Sequence, residues 1–140
     1  MRQTIDPRFE FDRGPVLWGA AVTALCGAVV LFVLQRPDWL LPTGVVGGAA
    51  AAARSGFYEQ SSTNGFVGVL LGVVFLFPAV LLYRAVVLPT VANTGDALFL
   101  TVTLSLVDII VYGPLMLILG YVGGTLVDIV RRRTDGRLGY

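Results

Sequence analysis

The feature that most constrains this chain is the recurrence of uncharged apolar runs about as long as a bilayer is thick. A helix needs about 20 residues to cross roughly 30 Å of hydrocarbon, and four stretches approach that length between charges or turn residues. Lipid offers backbone groups no hydrogen bonds, so segments that cross it singly must be helical. The expected fold class is therefore all-α, a multi-pass protein of the cell membrane with the lipid bilayer as its main partner. Composition agrees, since 56% of the 140 residues are hydrophobic, only 14% are charged, and the mean hydropathy is +0.80.

The first span, residues 15–34, carries no charge, opens on a proline suited to a first helical turn and stops at Gln35-Arg36-Pro37. It does not read as a cleaved signal peptide. Its polar leader, residues 1–14, mixes acids with bases, its core exceeds the roughly 7 to 15 residues of a signal, and no small-residue cleavage site follows. The second span, 39–58, is rich in glycine and alanine and needs Arg54 to reach the headgroups. The third, 65–83, is closed by Arg84 and contains Pro78, which lipid-embedded helices tolerate.

The last apolar region, residues 97–130, is too long for one crossing and too short for two. Asp108 and Asp128 are separated by about 30 Å of helix, which matches the hydrocarbon thickness and makes 109–127 the fourth span. Asp108 then lies at the outer headgroups. Residues 97–107 fit an interfacial strand, where Thr101, Thr103 and Ser105 alternate with apolar residues, and fit equally a helix with Thr101, Ser105, Asp108 and Tyr112 on one face.

Arginine placement sets the orientation. Four spans with a cytoplasmic N-terminus put Arg2, Arg8, Arg13, Arg54, Arg131, Arg132, Arg133 and Arg137 inside and only Arg36 and Arg84 outside. A re-entrant second segment would leave six arginines outside, so both termini are expected in the cytoplasm, with residues 131–140 a basic tail. The arginine run reads as a stop signal that could also bind anionic lipid. Trp18, Trp39, Tyr58 and Tyr83 fall near span ends, where aromatic rings anchor at the headgroups.

Functional chemistry is sparse. There is no histidine, and Cys26 is a lone thiol expected to be buried within the first span, which excludes disulfides, cysteine-rich metal sites and histidine base catalysis. No catalytic residue, metal or cofactor is expected, and a net charge of +1 points to no nucleic-acid partner. An ionisable residue in lipid can mark an ion path, so Asp108, with Thr101, Ser105 and Tyr112, forms the candidate set for a small transporter or channel. The competing reading makes Asp108 a solvated residue starting a helix, and Asp128 the ion-pair partner of Arg131 and Arg132 three and four positions on.

Gly44/Gly48, Gly68/Gly72 and Gly120/Gly124 are each four apart, and Gly19 and Gly27 lie on one stripe of the first span. Small residues at that spacing let helices approach closely, within one bundle or in a homo-oligomer. With 17 glycines in the chain, about two such pairs arise by chance, which favours packing within one bundle over a dedicated dimer motif.

Three segments carry a resemblance: Pro42-Thr43-Gly44-Val45-Val46-Gly47-Gly48, the turn Ala53-Arg54-Ser55-Gly56 leading to Gly65-Phe66-Val67-Gly68, and Gly120-Tyr121-Val122-Gly123-Gly124 before the arginine cluster. They resemble the small four-span membrane proteins of haloarchaea classed as a domain of unknown function. The resemblance implies an archaeal cell membrane and no established activity. The chain is also similar in span count to the four-span small multidrug transporters, but their first helix carries an acidic residue and residues 15–34 contain none. The expectation is a structural or accessory membrane protein without a catalytic site, acting beside a membrane-protein partner or a second copy; the rival is transport through Asp108.

Overall fold

A computed structural model describes residues 12–55, 61–87 and 94–138. Its helices are α1 (Arg13–Val29), α2 (Leu40–Arg54), α3 (Ser61–Val87) and α4 (Thr94–Leu138), and no strand occurs among the described residues. The helix option for residues 97–107 is the one adopted, as part of an unbroken 45-residue α4. That rod is about 68 Å long at 1.5 Å per residue, so 109–127 is not a separate element.

Local chemistry sets the ends. The backbone of Asp12 is extended and its carbonyl accepts from the Val16 N–H at 3.1 Å, opening α1. At its far end α1 widens into a π-helical turn, Val30–Leu34, closed by Gln35 in the left-handed region at φ 53°. Arg36 is extended, as a residue before proline prefers, and Pro37–Trp39 forms a 3₁₀ turn leading into α2. Pro78 and Pro114 sit inside α3 and α4.

The helices alternate in direction. Glycine contacts pair Gly19 with Ala51, Gly27 with Leu76, Gly44 with Met116 and Gly65 with Gly120, so α1 runs parallel to α3, and α2 parallel to α4. α2 and α3 touch each other and each pack on both α1 and α4. The start of α1 and the end of α4 therefore lie at one end of the bundle, and Gln35, Tyr83, Arg84 and Asp108 at the other.

Small residues bring the backbones together. A methyl at Gly44 would fall 2.7 Å from the Met116 carbonyl oxygen, and one at Gly48 would collide with the carbonyl of Gly120. Gly120 in turn faces Val69, Gly124 faces the Ser61 carbonyl, Gly19 faces Ala51, Gly27 faces Leu76, Gly72 faces Thr23, and Gly68 lies between Ala51 and the Val16 carbonyl. Close approach is also made at Gly47, Gly65 and Gly123, which no four-residue spacing had singled out.

Large apolar side chains mostly point outward. Leu25 is 68% exposed, Val86 72% and Ile110 69%, and comparable residues cover the outer faces of α1, α3 and α4. Arg13–Leu34, Ser61–Val86 and Gly95–Asp135 are long and apolar enough to cross a membrane. α2, with 15 residues, reaches about 22 Å at 1.5 Å per residue. The expected second span, 39–58, thus loses its end, because the helix stops at Arg54 and Ser55 is extended. Tyr58 and the leader up to residue 11 lie outside the described residues.

Candidate functional site

Two polar layers separated by an apolar core bind the helices, one at each end of the bundle. At the Gln35 end, Arg84 of α3 donates from Nε to Asp108 Oδ2 at 2.7 Å and from Nη2 to Oδ1 at 2.8 Å. This two-pronged geometry is the strongest form of arginine–carboxylate contact. Asp108 is 8% exposed. The solvated, helix-starting role expected for Asp108 is therefore corrected: it sits well inside α4, buried, with both carboxylate oxygens engaged.

The rest of the candidate transport set occupies the same face of α4 but spends its polar groups locally. Ser105, fully buried, donates to the Thr101 carbonyl at 2.7 Å, one turn back. Tyr112 packs against the hydrophobic core. Tyr83 is buried at the Gln35 end of the bundle; its ring meets Phe32 edge-on at 6.3 Å and its hydroxyl donates to the Gln35 carbonyl at 3.5 Å. Trp39 is half exposed.

At the opposite end, Asn64 is the centre. It is fully buried, accepts the Asp12 N–H at Oδ1 at 2.9 Å and donates from Nδ2 to Ser55 Oγ at 2.7 Å, joining the starts of α1 and α3 to the end of α2. The Ser55 hydroxyl in turn donates to the Ala51 carbonyl at 3.1 Å. α4 enters through Arg131, which donates to the carbonyls of Ala52, Ala53 and Ser55 at 3.2, 2.8 and 2.7 Å and so satisfies the frayed end of α2. The expected pairing with Asp128 belongs to Arg132 alone, whose Nε reaches it at 3.1 Å. Ser62 of α3 and Thr125 of α4 also meet, at 3.0 Å. Arg54, at the last turn of α2, lies over the ring of Trp18, 4.1 Å from its centroid.

Between the layers lie Val69, Val73, Leu76, Val80 and Met116, a contiguous apolar core. Cys26 is half-buried on α1, and among the described residues no three acidic or cysteine side chains gather as metal ligands would. In these two layers the polar side chains fasten helices to one another, while Thr23 and Thr43, also buried, donate to carbonyls of their own helices. Comparison with protein-family models, with curated proteins and with solved structures found no match.

Proposed function

We propose that the chain is a multi-pass cell-membrane protein with a structural or accessory role, without a catalytic centre. What carries this reading is that Arg84 with Asp108, Asn64 and Arg131 serve as fasteners between helices, while the outward surfaces of α1, α3 and α4 are apolar. Four crossings with both termini cytoplasmic are supported by the alternating helix directions and by the excess of arginines on that side. α2 falls short of the hydrocarbon thickness, and local thinning of the bilayer covers such a deficit at modest cost. An archaeal cell membrane is proposed on the sequence resemblance alone.

The second reading, transport through Asp108, draws on its burial beside Ser105 within a long apolar helix. The two separate in proteoliposomes. The accessory role expects no proton or cation flux above that of empty vesicles, and flux lost in Asp108→Asn would replace it with transport. Purification from native membranes would then identify the partner. Reporter fusions after Arg36 and after Tyr140 test the topology, which requires opposite locations for the two.

A further inference from the structure

The outer face of α2 and α4 holds a slot of about 220 Å³, lined by Val45, Ala49, Gly123, Leu126, Val127 and Val130, with Arg131 at its mouth. Its floor is made by missing side chains. Gly123 rests directly on the Val45 carbonyl and Ala49 contributes one methyl, beside the exposed side chains of Leu126 and Val130. The slot is almost wholly apolar, lined by the aliphatic part of Arg131, whose guanidinium lies beside it at the end of α2.

Arg131 has capacity left over. A guanidinium carries five N–H donors, and the three bonds to Ala52, Ala53 and Ser55 use two on Nη1 and one on Nη2. The Nε–H and one Nη2–H have no partner among the described residues. The partners it does have are carbonyls, and no carboxylate among the described residues forms a direct ion pair with it. An apolar slot beside a cation with two spare donors matches a molecule with an alkyl chain and an anionic oxygen-rich head.

We propose that this slot seats one alkyl chain of an anionic phospholipid whose phosphate is held by Arg131. The proposal rests on the membrane reading above, which puts the slot against lipid and Arg131 at headgroup level. A second copy of the chain fits less well. A two-fold contact brings the same patch of both copies together, and here that would set Arg131 and its neighbours against their own equivalents.

The test uses the full chain purified in dodecyl maltoside and titrated with phosphatidylglycerol or phosphatidylcholine of identical chains. Retained lipid is read by native mass spectrometry and stabilisation by the thermal midpoint. One phosphatidylglycerol should be retained, bound about five-fold or more tightly than phosphatidylcholine, whose choline cation offsets the phosphate charge that Arg131 would meet. Ala49→Phe, which fills the slot, should abolish retention, and Arg131→Gln should remove the preference between headgroups. Should Arg131→Gln unfold the protein, Ala49→Phe with a wild-type circular dichroism spectrum still decides. Equal retention of the two lipids overturns the proposal, as does a phosphatidylglycerol preference unchanged in Ala49→Phe. Stabilisation by inorganic phosphate equal to that by phosphatidylglycerol overturns the alkyl seat. A chain that stays monodisperse without detergent fails the membrane reading itself, whereas one that needs detergent but ignores headgroup charge fails only the lipid site.

Discussion

Arg84 and Asp108 face each other from α3 and α4 through two hydrogen bonds, at 2.7 and 2.8 Å, and close the bundle at the Gln35 end. Removing one member strands the other. Arg84→Ala is expected to destabilise by about 3 kcal/mol, the low end for a buried pair, because the Arg84 side chain keeps 23% of its surface exposed. Replacing both, Arg84→Met with Asp108→Leu, should recover most of that loss. Thermal or denaturant unfolding in detergent measures it, and a double variant no better than Arg84→Ala would show that the ion pair itself, rather than the orphaned charge, governs the closure.

Glycine substitutions should divide by what a methyl meets. At Gly48 it meets the Gly120 backbone, which cannot move aside, so Gly48→Ala should cost about 2 kcal/mol or more. At Gly113 the nearest atom lies 3.8 Å away, so Gly113→Ala should be neutral or stabilise by up to about 1 kcal/mol through better helix propensity. Unfolding midpoints of the two variants, compared in one detergent, check the sign.

Asn64 and Ser61 are both fully buried on the same turn of α3 and should respond oppositely. Asn64→Ala removes the link between Asp12 and Ser55 and should cost about 1–3 kcal/mol, since the Asp12 N–H loses its acceptor. The Ser61 hydroxyl has no hydrogen-bond partner among the described residues, so Ser61→Ala should be neutral or stabilising. A marked loss in Ser61→Ala would reveal an acceptor or water at that hydroxyl.

Gln35 holds a left-handed backbone, φ 53°, without being glycine. Gln35→Gly should stabilise by up to about 1 kcal/mol by relieving that strain, and Gln35→Val should destabilise by a similar amount. Side-chain exposure makes the pair a clean probe of backbone conformation, because Gln35 is exposed. Unfolding midpoints read the difference.

The helices that follow from unbroken apolar runs, 15–34 and 65–83, were legible because each run alone must satisfy its backbone in lipid. Residues 97–107 were ambiguous because alternating threonine and leucine fits two periodicities, and burial of Ser105 beside the Arg84–Asp108 pair belongs only to the helical one. The pair itself was illegible. Its members are 24 residues apart on different helices, and their meeting depends on the α3–α4 register that the glycine contacts define. Arg131 misled for a related reason: its spacing from Asp128 pointed within α4, while the unsatisfied carbonyls of α2, invisible in a linear reading, captured it.

That capture reaches into biosynthesis. Arg131 follows Ala52 by 79 residues, so when α2 leaves the ribosome its last carbonyls have no guanidinium to meet until α3 and most of α4 have been made. The shortest of the four α-helices is thus completed by a residue made two helices later, and a nascent chain halted before α4 would hold α2 as a loosely ended segment awaiting its latch.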